Sequence, residues 1–199
     1  MNDIQGYVLA GGLSSRMGSP KANITLGGQT LLERAVDTLK EFSGLPPTVV
    51  VRSRDQLAAR HRDLRVIEDN RKGEHAAIFG LHRALTDSSA DLVAILAVDL
   101  PFVTADLFTR LIEFADDSDA VVPLQADGRP QPFAAIYRRE RCLEPLSRLI
   151  AVNDCRLTTA LEGFKSAYIK DLGPFNREKG LFNINAPEDL NEAKALIGT

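Results

Sequence analysis

The apolar run Gly6-Tyr7-Val8-Leu9-Ala10 ends in Gly11-Gly12, which predicts a buried strand entering a turn. Leu32, Ala35, Val36 and Leu39 then recur at helical spacing behind Thr30, which can cap that helix while Glu33 returns the bond. Pro46 and Pro47 close the region, and the branched run Thr48-Val49-Val50-Val51 suits a second strand. Arg65-Val66-Ile67 is a shorter strand candidate that ends at Glu68-Asp69-Asn70. A helix is expected from about Ala76 to Leu85, with Leu81, Ala84 and Leu85 inward and Gly80 weakening it. Asp91 opens the nearly continuous apolar run 92–98, the expected central strand, whose carboxyl end delivers Asp99 before Pro101 breaks it. Thr104 can cap a helix carrying Leu107, Leu111, Ile112 and Ala115, and Ala120-Val121-Val122-Pro123-Leu124 returns to the sheet.

Strand followed by helix, repeated, predicts an α/β protein with a mainly parallel sheet and helices on both faces. Active residues then belong beyond the carboxyl ends of the strands. After residue 124 the pattern loosens. A turn at 125–130 is followed by Phe133-Ala134-Ala135-Ile136-Tyr137, a strand expected to enter from the other side, and by Ala167-Tyr168-Ile169-Lys170, another candidate. The final helix reads with Asn185 as cap, Pro187 in the first turn, Glu188 at the capping-box position, and Leu190, Ala193 and Ile197 packing. No linker or repeat interrupts the 199 residues, so one domain over 1–199 is expected, with its regular part to about 124 and its looser part over 125–199.

Charge narrows the function. Lysine and arginine total 24 against 27 acidic residues, so no global basic field would hold a nucleic acid, although a small cationic pocket for one nucleotide remains open. Cys142 and Cys155 lack the short spacing of a redox or zinc site and read as reduced packing residues, and His61 and His82 have no companions at metal-ligand spacing. Asp3 stands where a signal peptide would be basic, and no apolar stretch approaches the roughly 20 residues that cross a bilayer. A cytoplasmic protein without membrane attachment is expected.

The segment from Leu9 to Lys21 carries the most chemistry. Gly11 and Gly12 allow backbone amides to approach a ligand closely, while Ser14, Ser15, Arg16 and Lys21 offer donors to phosphate oxygens. The spacing fits neither G-x-G-x-x-G nor G-x-x-x-x-G-K followed by Ser or Thr, because Lys21 lies between Pro20 and Ala22. Asp99, at the end of the central strand, can project into a crevice while the sheet fixes its backbone, and magnesium needs only one or two protein oxygens beside substrate phosphates.

Three ordered segments resemble the molybdenum cofactor nucleotidyltransferases, and most closely the guanylyltransferases: Leu9 to Lys21, Val98-Asp99-Leu100-Pro101-Phe102, and Leu181-Phe182-Asn183-Ile184-Asn185-Ala186-Pro187-Glu188-Asp189-Leu190. The resemblance implies a Rossmann-like, GT-A-like nucleotidyltransferase fold. It also implies that Gly11, Gly12, Arg16, Gly18 and Lys21 bind phosphates, that Leu9 and Ala10 lie against the base, and that Asp69 lies near the nucleoside. Arg16, Lys21 and Asp99 become the catalytic set, with Asp99 holding magnesium or, in its place, manganese. Asn183, Asn185 and Arg156 are implied on the acceptor side, so the resemblance makes residues to about 124 the nucleotide-binding half and 125–199 the acceptor-binding half. The chain departs from the family pattern at Pro20, where relatives often have an acidic residue, at Glu74-His75, where a Pro-Leu pair is common, and at Ala186, where threonine is usual. The ordinary pKa of a histidine lies near neutrality, which makes His75 a candidate to approach the substrate, but a lone histidine there reads first as an ordinary polar residue.

The implied reaction moves GMP from GTP to molybdopterin or molybdenum-bearing molybdopterin and releases pyrophosphate. Proteins that insert molybdenum or mature molybdoenzymes are the implied partners. Competing readings are a cytidylyltransferase, against which the pair Gly11-Gly12 argues, another small-molecule nucleotidyltransferase, and a non-catalytic nucleotide-binding protein of the same fold.

Overall fold

The computed structural model describes residues 3–11, 19–69, 77–175 and 177–198. Strand β1 (Ile4–Leu9) is followed, beyond the glycine-rich segment, by a 3-10 turn (Lys21–Asn23) and a small hairpin of β2 (Thr25–Leu26) and β3 (Gln29–Thr30). Helix α1 (Leu31–Ser43) starts as expected. The Thr30 hydroxyl accepts from the Glu33 amide at 3.1 Å, and the Glu33 carboxylate accepts from the Thr30 amide at 2.6 Å. Gly44 ends the helix in the left-handed conformation, φ 73°, that a residue without Cβ adopts at little cost.

The chain continues through β4 (Thr48–Val51), β5 (Val66–Glu68), α2 (Ile78–Asp87), β6 (Leu92–Ala97), α3 (Ala105–Ile112), β7 (Ala120–Pro123) and β8 (Ala134–Arg138). It closes with α4 (Arg139–Ala151), α5 (Leu157–Gly163), β9 (Ser166–Ile169), α6 (Arg177–Gly180) and α7 (Pro187–Ile197). Seven strands make one sheet in the order β5-β4-β1-β6-β8-β7-β9. β8 runs antiparallel to both neighbours, as its sequence predicts, and the other pairs are parallel. From β1 the chain winds outward through β4 and β5 and then crosses to β6 on the opposite side. That reversal places a topological switch point at the carboxyl ends of β1 and β6, where open α/β sheets bind ligands.

Alternation along the strands builds a core on each face. Val8 and Leu96 pack with Leu32, Leu39, Leu107, Phe108, Leu111 and Ala193 of α1, α3 and α7. Tyr7, Val50 and Ile95 face the other way, onto Ile78, Leu81, Leu85, Cys142, Leu146 and Leu161 of α2, α4 and α5. Each such aliphatic side chain, when fully buried, contributes about 1.5–3 kcal/mol. Both cysteines are free thiols, and burial pushes the Cys142 thiol well above its ordinary range. Among the described residues no helix is long and apolar enough to cross a membrane.

Several local expectations are corrected. Helices α4 and α5 replace what reads as loosened sequence. In α4 the inward stripe is narrow, Cys142, Leu146 and Ile150, and Pro145 inside the helix has no amide to donate, yet packing on the sheet outweighs the lost backbone bond. Thr104 occupies the cap of α3, but its hydroxyl bonds no helix amide and reaches toward Asp106 instead, and the helix stops before Ala115. In α7 the cap is Ala186, with Pro187 following as the first helical residue, and Ile197 stays 38% exposed. Asp189, not Glu188, supplies the capping carboxylate, which accepts from the amides of Asn185 and Ala186 at 2.7 and 2.8 Å. Asn185 is therefore not the cap, and its side chain is left for another partner.

Candidate active site

β1 and β6 pair in register from Ile4 with Leu92 to Leu9 with Ala97, so the two strands end at the same level. Beyond that level the Val98 amide donates to the Leu9 carbonyl at 3.1 Å and the Ala10 amide to the Val50 carbonyl at 2.8 Å. Ala10 is buried and Leu9 half-buried. A Cβ on Gly11 would lie 3.1 Å from Cγ and 3.3 Å from the amide nitrogen of Arg52, so the chain leaving β1 passes too close to the end of β4 for a larger residue to sit without displacement. Gly12, Ser14, Ser15, Arg16 and Gly18 lie outside the described residues, as do Glu74 and His75.

Where the chain is described again, Pro20 precedes the 3-10 turn and Lys21 opens it. The Lys21 ammonium donates to Asp99 Oδ2 at 3.0 Å and to Asn185 Oδ1 at 2.8 Å. Its side chain is 11% exposed and that of Asp99 is 25% exposed, so the carboxylate is held by a cation yet open on one side. Val98 and Leu100 are buried on either side of Asp99 and hold the backbone there. Its carbonyl accepts from the Ile184 amide at 2.8 Å. Three motifs far apart in the chain thus meet at the switch point.

Asn183 lies alongside. Its Nδ2 donates to the Leu181 carbonyl at 3.2 Å, and its Oδ1 faces Gln131 Nε2 at 3.5 Å. Gln131 is 6% exposed; it opens the segment Gln131 to Tyr137, which resembles the family's entry to the acceptor-binding half, but no site role for its side chain is expected from the sequence. Asp69 follows β5 at the same edge of the sheet, half-buried, its amide bonded to the Val51 carbonyl at 2.7 Å. Arg156 caps α5 and is exposed, with its guanidinium on Asp154 at 2.9 and 2.7 Å; those bonds hold the Asp154 carboxyl far below the usual carboxylate range. No described contact joins Asp69 or Arg156 to the Lys21, Asp99 and Asn185 cluster.

No group of three or more His, Cys, Asp or Glu that could hold a metal gathers among the described residues. Magnesium does not need one. A single partly open carboxylate, with Oδ1 free of hydrogen bonds among the described residues, suits a hard cation that completes its shell with phosphate oxygens and water. Asp99 fits that requirement. His82 shares a 2.9 Å hydrogen bond with Ser147, and His61 is buried with Nε2 unpartnered.

A mainly parallel sheet whose switch point gathers a lysine and a carboxylate is the layout of an α/β protein that binds its ligand beyond the strand ends. Residues 6–165 match the family model described as the MobA-like NTP transferase domain. The chain belongs to that family, and its activity is of the nucleotidyltransferase type. It is 30% identical to a molybdenum cofactor guanylyltransferase of Rhizobium johnstonii, over 98% of this chain and 93% of the relative. A probable molybdenum cofactor guanylyltransferase of Natranaerobius thermophilus is 27% identical over 99% of this chain and 98% of its own. The crystal structure of molybdopterin-guanine dinucleotide biosynthesis protein A from Archaeoglobus fulgidus superposes with a TM-score of 0.81 at 27% identity, covering 98% of each chain.

Proposed function

We propose that the protein transfers GMP from GTP to the terminal phosphate of molybdopterin, or of its molybdenum-bearing form, and releases pyrophosphate. The observation that carries this reading is the Lys21 to Asp99 pair at the switch point, in a chain whose family acts on nucleoside triphosphates. The acceptor phosphate is already an anionic nucleophile. Its oxygen attacks the α-phosphorus of GTP, the bond from that phosphorus to the bridging oxygen breaks, and pyrophosphate departs with the electron pair. No general base is needed, so the site's task is in-line placement and charge neutralisation.

In this reading Leu9 and Ala10 lie against the base, Gly11, Gly12 and Gly18 admit the phosphates, and Asp69 stands near the nucleoside. Arg16 and Lys21 offset charge on the triphosphate and leaving group. Asp99 would hold magnesium, or manganese in its place, which supplies Lewis-acid stabilisation of phosphate charge. Asn183, held by Gln131, and Arg156 face the acceptor. The chain works as one unit, nucleotide to about residue 124 and acceptor beyond it, in the cytoplasm beside proteins that insert molybdenum or mature molybdoenzymes. Incubating purified protein with GTP, magnesium and molybdopterin tests the proposal: mass spectrometry should find the guanine dinucleotide and pyrophosphate in equal amounts, and finding neither would contradict it.

A further inference from the structure

We propose that Asn185 is a positioning residue for Lys21: its amide oxygen aims the lysine ammonium at the nucleotide's phosphates, so the approach to α7 serves the phosphate end of the site. This rests on the nucleotide reading above and assigns Asn185 a partner within the protein in place of the acceptor.

The geometry carries the case. Lysine is a point charge on a flexible four-carbon stem, and its ammonium is aimed only where acceptors fix it. Among the described residues Lys21 donates to two such acceptors, in different segments of the chain: Asp99 Oδ2 at 3.0 Å and Asn185 Oδ1 at 2.8 Å, the latter 164 residues away along the chain. Asn185 is itself held from both sides. Its own amide is bonded to the Asp189 carboxylate, and the preceding Ile184, fully buried, bonds through its amide to the Asp99 carbonyl. These two acceptors therefore share one backbone connection. They also divide the work. Asp99 neutralises the ammonium, whereas a neutral amide orients it without cancelling the charge that a phosphate requires. Because the Asp189 carboxylate caps the start of α7, the Asn185 side chain has no duty in starting the helix.

The test is a double-mutant cycle read on tripolyphosphate, which has neither base nor acceptor, by calorimetry in metal-free buffer. Asn185→Leu should weaken tripolyphosphate binding about fivefold, Lys21→Met at least as much, and the double variant no more than Lys21→Met alone. In turnover the KM for molybdopterin should stay within about twofold in Asn185→Leu. Asn185→Ala repeats the cycle should the leucine variant unfold. Multiplicative losses in the double variant would overturn the inference. A raised molybdopterin KM with tripolyphosphate affinity intact would overturn it in favour of an acceptor contact, and an altered magnesium requirement alone would overturn it in favour of a metal ligand. Wild-type protein that binds neither GTP nor tripolyphosphate would overturn the nucleotide reading and this inference together, an outcome distinct from normal wild-type binding with additive losses.

Discussion

The amide of Ile184 donates to the carbonyl of Asp99 at 2.8 Å. Through that bond the loop after β6 and the asparagine segment before α7 are joined by backbone, independently of the Asp99 carboxylate. Removing the carboxylate should therefore leave the segment docked. Asp99→Ala should abolish magnesium-dependent transfer while keeping a cooperative unfolding transition, because the lost group is partly open and outside the apolar core. Turnover and thermal unfolding measured on the same preparation check this, and full activity with unchanged magnesium dependence would refute the role of Asp99.

Lys21→Met preserves much of the aliphatic length and deletes the cation. It should remain folded and lose at least roughly tenfold in kcat/KM with GTP, about 1.4 kcal/mol of transition-state stabilisation. Steady-state kinetics at limiting GTP reads the effect. Near-normal efficiency in folded protein would remove Lys21 from the phosphate site.

His61 offers a test of the fold under acid. Burial holds its pKa below the ordinary 6.5, with Glu33 opposing the shift and Arg60 adding to it. The unfolded chain thus takes up a proton as the pH falls through 6.5 while the folded chain resists it, so this contribution is complete above that pH and is lost below it. His61→Phe should lose less stability than the wild type between about pH 7.5 and about pH 5.5 in denaturant titrations. Equal losses in the two proteins would contradict the assignment.

The capping box of α1 predicts a stability effect away from the chemistry. Thr30 is fully buried and exchanges two bonds with Glu33. Thr30→Ala should cost about 1 kcal/mol, lowering Tm by roughly 2–4 °C in a chain of this size. Calorimetry would decide, and an unchanged Tm would show the cap to be dispensable.

Much of this architecture was legible because local rules and tertiary packing agree. The branched run 48–51, the apolar run 92–98 and the Thr30 cap all became the elements their patterns predict. So did the reversed entry of β8, announced by Pro132 and the turn before it. Helix α4 was hidden because Pro145 and a charged surface mask three inward residues, whose value appears only when the sheet is there to receive them. The cap of α7 slipped by one residue because Asp189 and Glu188 are equally plausible by type, and only backbone geometry chooses between them. Asp99 was readable as a strand-end carboxylate. The bond from Asn185 to Lys21 was not, since no local pattern encodes a contact across 164 residues. Nor was the hold of Gln131 on Asn183. Arg16, Gly12 and Gly18 lie outside the described residues, and their roles rest on the family resemblance.

The central claim is guanylyl transfer, and nucleotide choice tests it most directly. With purified protein, magnesium and molybdopterin, kcat/KM should be measured for GTP, CTP and ATP in parallel. The account predicts the highest efficiency with GTP and a guanine dinucleotide product. A higher efficiency with CTP would contradict it and make the protein a cytidylyltransferase of the same fold.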